Sequence, residues 1–339
     1  MDLEKRKRAF VELGNYLQNL SEEEFQNWYI DAKRNNAWFT EDSVRFALKG
    51  IRELLKENEL ASWLSNYSFP SVVSSKRVGV VMAGNIPMVG FHDFLCVLLS
   101  GHHVVVKMSS NDNVLLKKLT EKLVGFEREF AKKVEFVEKL QDVDAVIATG
   151  SDNSAKYFHY YFSKIPHIIR QNRVSVAILT GNETQEDLES LSLDILMYFG
   201  MGCRNVAKIY APVGYDFNHL LKASEKYHKL VDFNKYYNNY DYNKSICIVN
   251  NMPCLDNGFL ILIENEAMAS PVSVVYYEYY QSEAEVTFKI ESQKEKIQTI
   301  VTKGEWYSGS VDFGKAQTPS VSDYADGIDT MEFLLKLSK

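Results

Sequence analysis

Cys203 lies in the segment FGMGCRNVAK, with Gly200 and Gly202 before it and Arg204 after it. A cysteine attacks as its thiolate, so it needs access and a lowered pKa. Glycines let the backbone approach a reacting carbonyl closely, and the Arg204 charge favours the anion. The same pattern also suits a small buried hydrophobe. Asn85 stands in AGNIPMVG directly after a β-branched run. Its amide N–H is a donor for a developing negative oxygen, and Gly84 removes bulk beside it, although an ordinary turn asparagine has the same composition. Lys107, Ser109 and Ser110 end the run VVVKMSSND, and Thr149, Gly150 and Ser151 end another in TGSDNS. Ammonium, hydroxyls and backbone N–H groups at a helix start suit ribose and phosphate. Neither segment has the G-x-G-x-x-G fingerprint, so a nucleotide site rests on the set.

The elements that must position these residues are legible from Val78 onward. RVGVVMAGN, HHVVVKMSS, DAVIATGS and RVSVAILTGN are short β-branched runs that each end in polar turn residues, with helical patterns between the first three. Strand, turn and helix in repetition predict a parallel sheet wrapped by helices, which gathers ligands at the carboxyl ends of its strands. The residues before Val78 read as helices: 1–19, a second opened by a Ser21/Glu24 capping box, and a long segment over 40–65. After Asp187 the helical stretch LESLSLDILMYF leads into a further α/β region. The expected division is residues 1–187 as helical preface plus nucleotide-binding lobe, and 188–339 as a catalytic lobe ending in a loop and a helix capped by Asp329 or Thr330. Within the second lobe, FNKYYNNYDYNKS reads as a half-buried aromatic loop, and SICIVN, FLILIENE and SPVSVVYYEYY as strands.

A length of 339 residues with 46% apolar and 24% charged side chains fits a globular protein of two lobes. Lys and Arg number 38 against 45 Asp and Glu, a net charge of −7, which argues against a general nucleic-acid binder. The four cysteines are scattered, without the pairing of a disulfide framework or a zinc site, and fit a reducing cytoplasm. None of the seven histidines has ligand spacing beside a Cys or carboxylate pair, so no metal is expected; His102 and His103 read as turn residues. The opening MDLEKRKRAF lacks the apolar core of a secretory signal, and no apolar run approaches the roughly 18–20 residues of a membrane span. Lys5 to Arg8 read as the polar flank of a helix whose apolar stripe is Phe10, Leu13, Leu17 and Leu20.

Taken in order, AGNIP at Asn85, VVVKMSS at Lys107, ATGS at 149–151, GMGC at Cys203, ENEAMASPVSVV around Glu266 and the tail GKAQTPSVSDYADGIDT resemble the aldehyde dehydrogenase superfamily. The likeness is greatest to its acyl-CoA reductase (LuxC-type) branch and runs from about Val78 to the C terminus. It implies an aldehyde-dehydrogenase-like α/β fold: a parallel-sheet cofactor lobe, a second α/β catalytic lobe and a helical N-terminal segment. It also implies roles. Cys203 would be the nucleophile, with Asn85 and the Cys203 backbone N–H as the oxyanion hole. Lys107 would contact the adenosine ribose or its phosphate, the turn of Thr149, Gly150 and Ser151 would face the pyrophosphate, and Glu266 would approach the nicotinamide ribose.

The departures from that family narrow the chemistry. Hydrolytic relatives carry a Glu-Leu-Gly-Gly segment whose carboxylate activates water; the comparable stretch here, HIIRQNRVSVAIL, offers only Arg170, Gln171, Asn172 and Arg173. Without a general base an acyl-cysteine leaves by thiol exchange or hydride transfer. Ser110 occupies the position where NAD-preferring relatives have a Glu, which favours NADPH, with NADH as the alternative. Two positions depart further: Glu266 is aligned only to within a residue, and Ala155 stands where a second phosphate-turn glycine is expected. The expected reaction is reduction of an acyl thioester, of CoA or an acyl carrier protein, to the aldehyde through an S-acyl-cysteine. The alternatives are an acylating aldehyde dehydrogenase running toward acyl-CoA, and an acyl-transfer or interaction subunit without hydride chemistry. Chain length and oligomeric state stay open, because the resembling enzymes assemble through a strand arm that is not legible here.

Overall fold

The computed structural model of the chain describes residues 1–70, 74–304 and 306–338. Its contacts divide the chain into two units, Met1–Asn172 with Pro319–Lys339, and Arg173–Thr318. This division differs from the expected boundary at 187/188 in two ways. The run RVSVAILTGN belongs to the second unit's sheet, and the C-terminal segment returns to the first.

The first unit opens with four helices, α1 (Leu3–Gln18), α2 (Glu22–Asn35), α3 (Glu41–Leu54) and α4 (Glu57–Leu64). The segment expected as one helix over 40–65 is two, separated at Leu55 and Lys56. Phe10, Leu13 and Leu17 are buried as the α1 stripe requires, while Leu20 is half-buried. Arg6 departs from the solvated-flank reading: it is buried, and its guanidinium donates to Met1 O at 2.9 Å. Ser21 caps α2 by accepting from the Glu24 N–H at 3.2 Å.

The sheet of this unit consists of β1 (Arg77–Val81), β2 (His103–Lys107), β3 (Val134–Phe136), β4 (Ala145–Thr149) and β5 (His167–Arg170), all parallel. Between them run α5 (Phe91–Leu99), α6 (Leu115–Phe126) and α7 (Asp152–Phe162). The strand order β3-β2-β1-β4-β5 reverses direction at β1. Val78, Val80, Val104 and Val106 are wholly or almost wholly buried, as are Phe94, Leu95 and Val97 of α5, so strands covered on both faces read as continuous apolar runs.

Buried polar groups fasten the C-terminal segment to this unit. Trp63 Nε1 donates to Tyr324 OH and Tyr67 OH to Asp329 Oδ2, each at 2.8 Å. Arg170 bridges Asp93 Oδ2 at 2.5 Å and Thr330 Oγ1 at 2.9 Å. Asp329 caps the closing helix, Thr330–Lys336, by accepting from Glu332 N at 2.8 Å. His102 is not a turn residue. It is fully buried, its Nδ1 accepts from Lys76 N at 3.1 Å, and its Nε2 is 2.9 Å from Leu334 O. Those partners fix the neutral Nε2–H tautomer, and burial lowers the pKa further. His103 is the first residue of β2.

The second unit comprises β6 (Val174–Ile178), α8 (Gln185–Leu196), β7 (Val206–Pro212), α9 (Asn218–Ala223), α10 (Asn234–Val249), β8 (Leu255–Asp256), β9 (Ile261–Glu264), β10 (Val274–Tyr280), α11 (Glu283–Ser292) and β11 (Ile297–Thr302). Its sheet order is β11-β6-β7-β10-β9-β8, parallel except for the β8 edge. The Tyr- and Asn-rich loop and the strand SICIVN expected from sequence are instead the single helix α10. The buried residues Tyr236, Tyr240, Asn243 and Cys247 recur at helical spacing, and they pack Cys247 against Ile261, Ile263 and Val274. A helical stripe about three turns long outweighs the β preference of an Ile-Cys-Ile-Val run.

Candidate active site

In the first unit the three polar turns singled out in the sequence follow adjacent strands. Val81 of β1 pairs with Lys107 of β2 on one side and Ala148 of β4 on the other. At about 4.8 Å between strands, the ends of β2, β1 and β4 lie within about 10 Å of one another. This is also where the strand order reverses, the place at which open α/β sheets bind ligands.

Asn85 is exposed in the turn after β1. The turn is gripped on both sides of it. Gly84 O accepts from the buried Asn36 side chain at 3.3 Å, and a Cβ on Gly84 would stand 2.5 Å from Ser109 Oγ. Met88 holds a left-handed backbone, φ 56°, and its N–H donates to Asp112 Oδ2 at 2.6 Å. Asp112 closes the turn that carries Ser110, its N–H donating to Ser109 O at 3.2 Å. Burial pushes the Asp112 carboxyl up to about 7, against the pull of the Met88 N–H. Lys107 is half-buried at the end of β2, and its amine enters no ion pair or hydrogen bond among the described residues; Ser110 is exposed. Ser151 caps α7, accepting from Ser154 N at 3.3 Å. A Cβ on Gly150 would stand 2.9 Å from Phe158 Cε2, so glycine is needed where helix and strand meet. Ala155 is buried within the first turns of α7.

In the second unit Cys203 is half-buried, outside any disulfide, in the turn before β7. Tyr198, Phe199 and Gly200 hold three successive left-handed conformations, φ 54°, 60° and 75°. For Tyr and Phe this is a strained backbone, sustained by burial of both rings and by Phe199 stacking on Phe233 at 4.6 Å between centroids. Asn205 pins the turn. Its Nδ2 lies 3.0, 3.2 and 2.7 Å from the carbonyls of Asp194, Ile195 and Met197, and its Oδ1 accepts from Gly202 N at 2.8 Å. Ser175 Oγ donates to Cys203 O at 3.1 Å. Arg204 reaches toward Thr299 Oγ1 at 3.2 Å and Ala316 O at 3.4 Å.

Asp194, fully buried on α8, accepts from Gly314 N at 2.6 Å and Ala316 N at 3.1 Å, and burial pushes its carboxyl up to about 7. A pKa raised in the fold favours the protonated native state. The associated stability is complete below the ordinary Asp value near 4 and is lost as pH rises toward about 7. Asp194→Asn is therefore expected to flatten the fall in unfolding free energy between about pH 4 and 7, with Asp112 supplying the residual slope of the same sign. Urea melts across that range check it, and a slope equal to wild type would show that Asp194 titrates normally.

Glu266 follows the carboxyl end of β9, whose Glu264 pairs with Tyr277 of β10. Cys203 precedes the amino end of β7. The loop of Glu266 is supported by Lys208, wholly buried, which pairs with Glu278 at 2.6 Å and donates to Asn265 O. In the stretch compared with the hydrolytic segment, Arg170 is committed to Asp93 and Thr330, and Arg173 donates to Ile297 O at 3.2 Å.

Asn36, Asp112, Asp194, Asn205 and Lys208 were not singled out in the sequence. Single polar residues inside apolar patterns, such as Asp194 between Leu191 and Ile195 or Lys208 within VAKIYA, were the signal available. Among the described residues no three His, Cys, Asp or Glu side chains are grouped to hold a metal ion, and no helix is long and apolar enough to cross a membrane.

Solved aldehyde dehydrogenases have the same fold. Aldehyde dehydrogenase 21 from Physcomitrella patens, in complex with the product succinate, superposes with a TM-score of 0.69 at 13% identity over 100% of this chain and 85% of its own. A variant of the P. syringae indole-3-acetaldehyde dehydrogenase AldA, in complex with NAD+ and IAA, gives 0.66 at 12% identity over 91% and 74%. At such identities the likeness establishes the fold. No curated protein sequence matches the chain. The sequence model of the acyl-CoA reductase (LuxC) family matches residues 4–214, which takes in the helical preface, the three strand-end turns and Cys203. The chain has the aldehyde dehydrogenase fold and belongs to the acyl-CoA reductase (LuxC) family.

Proposed function

We propose that the chain reduces an acyl thioester, with fatty acyl-CoA the first candidate and acyl carrier protein the alternative donor, to the aldehyde through an acyl group carried on Cys203. The observation that carries this reading is the convergence of the turns after β1, β2 and β4 at the point where the strand order reverses, in a chain of the LuxC family. Those turns fit a nicotinamide dinucleotide. Lys107 offers an ammonium that pairs with none of the described residues, Ser110 an exposed hydroxyl, and Ser151 the capped N-terminus of α7 for the pyrophosphate. Asp112, the carboxylate in the Lys107 turn, is turned toward the Met88 N–H. A 2′-phosphate therefore meets Lys107 and Ser110, which favours NADPH over NADH.

The Cys203 thiolate attacks the thioester carbonyl, Asn85 and the Cys203 backbone N–H donate to the oxyanion, and the carbon–sulfur bond to CoA breaks with CoA leaving as thiolate. Thioester exchange is close to isoenergetic, so the chain supplies orientation and charge stabilisation. A reduced nicotinamide dinucleotide, which Lys107, Ser110 and Ser151 would hold, would supply the hydride that brings the acyl carbon to the aldehyde level. Collapse of the resulting thiohemiacetal returns Cys203 to its thiolate. Glu266, in the loop that follows β9, would approach the nicotinamide ribose.

Wild-type protein is expected to oxidise NADPH with release of CoA when given acyl-CoA thioesters of graded chain length. Ser110→Glu should shift the ratio of kcat/KM for NADPH over NADH by about tenfold or more toward NADH, through repulsion of the 2′-phosphate. Acylation without nicotinamide oxidation at any chain length would favour an acyl-transfer subunit and remove the reductase reading. An unchanged cofactor ratio in Ser110→Glu would remove the assignment of NADPH specificity to this turn.

A further inference from the structure

We infer that Asp112 is a positioning residue for Asn85, clasping the Asn85 turn to the turn that carries Lys107 and Ser110; this rests on the proposed acylation of Cys203. Three contacts carry the inference. The Met88 N–H, three residues beyond Asn85, donates to Asp112 Oδ2 at 2.6 Å. Met88 holds φ 56°, a conformation that costs a side-chain-bearing residue on the order of 1 kcal/mol and persists only where its surroundings impose it. On the other side of Asn85, Gly84 fits so closely against Ser109 that a Cβ would stand 2.7 Å from Ser109 Cβ. Ser109 and Asp112 are themselves joined as a short antiparallel bridge. One small turn therefore fixes the Asn85 turn at both ends.

A half-buried carboxylate with a backbone N–H as its partner is costly in a turn that a neutral residue could close. The Asp112 carboxylate is occupied by the Met88 N–H. What it does provide is a fixed path for residues 85–88. An oxyanion donor works through placement to a fraction of an ångström, and a displacement of about 1 Å costs on the order of 100-fold in rate. Asp112 thereby also joins the two halves of the reaction, because the turn that holds Asn85 is the one that presents Ser110 to the cofactor.

The test is the single-turnover rate of Cys203 acylation by acyl-CoA, read as CoA release and as added mass on the protein, with NADPH affinity and melting temperature measured on the same samples. Asp112→Ala should slow acylation about 10- to 100-fold while the NADPH dissociation constant changes less than about threefold. Asp112→Asn, which keeps an oxygen for the Met88 N–H, should recover most of the loss. In an Asn85→Ala background the Asp112→Ala change should have an effect under about threefold, since there is then no donor to misplace. If Asp112→Ala fails to fold, Asp112→Ser, which retains a short acceptor, is read by the same cycle. Acylation at the wild-type rate in Asp112→Ala, or full additivity with Asn85→Ala, would overturn the inference and leave the proposed function standing. Absence of acylation in the wild type would overturn both.

Discussion

Cys203→Ala protein mixed with acyl-CoA and NADPH is expected to gain no acyl mass and to oxidise nicotinamide at least about 1000-fold more slowly than wild type. The size follows from the route. Without the sulfur there is no thioester exchange, and a direct hydride attack on acyl-CoA lacks the covalent tether that holds the carbonyl in place. The chain offers no substitute thiol. Cys96 and Cys247 are buried, and burial pushes both thiols up, whereas Cys254 is packed on the Cys247 cluster beside β9. The fold should survive, because the turn is held by Asn205, Ser175 and the carbonyls at the end of α8. A melting curve within a few degrees of wild type accompanies the expected loss. Undiminished nicotinamide oxidation by a folded Cys203→Ala protein would remove the mechanism.

Asn85→Ala should lower the acylation rate by roughly 100- to 1000-fold, the range found when one preorganised oxyanion donor is deleted, equivalent to about 2.7–4 kcal/mol. Asn85 is exposed, and the turn around it is fixed by Gly84, Met88 and their partners. Stability should therefore change little, and the loss should fall on kcat with a small change in KM, because the interaction strengthens as the carbonyl becomes an oxyanion. The measurement is a steady-state profile in acyl-CoA together with single-turnover CoA release. An effect under threefold would assign Asn85 to the architecture of the turn.

The first sheet was legible because its strands are buried on both faces. RVGVV, HVVVK and AVIAT are short β-branched runs, and the polar residues after them fall where such strands must end. The positions of Asn85, Lys107, Ser110 and Ser151 after those runs followed from the same pattern. Local pattern misled where a longer period governed. SICIVN has the composition of a strand, yet its inward residue Cys247 continues a stripe begun at Tyr236, and only a helix buries all four of its members. RVSVAIL was placed with the first sheet because it follows the same grammar; which sheet a strand joins depends on long-range pairing, here with Val206–Pro212 and Ile297–Thr302.

The sequence by itself determined the family, the parallel character of the first sheet, the α/β class of the second lobe, and the residue types at the strand ends that suit thioester and dinucleotide chemistry, because these follow from local periodicity and from the order of short motifs. Tertiary structure alone decided that His102 and Arg170 anchor a C-terminal segment more than 150 residues away, and that Asp112, Asp194 and Asn205 hold the turns. A buried polar residue acquires its role from the partner that the fold delivers to it, and the spacing of side chains along the chain carries no record of which partner arrives.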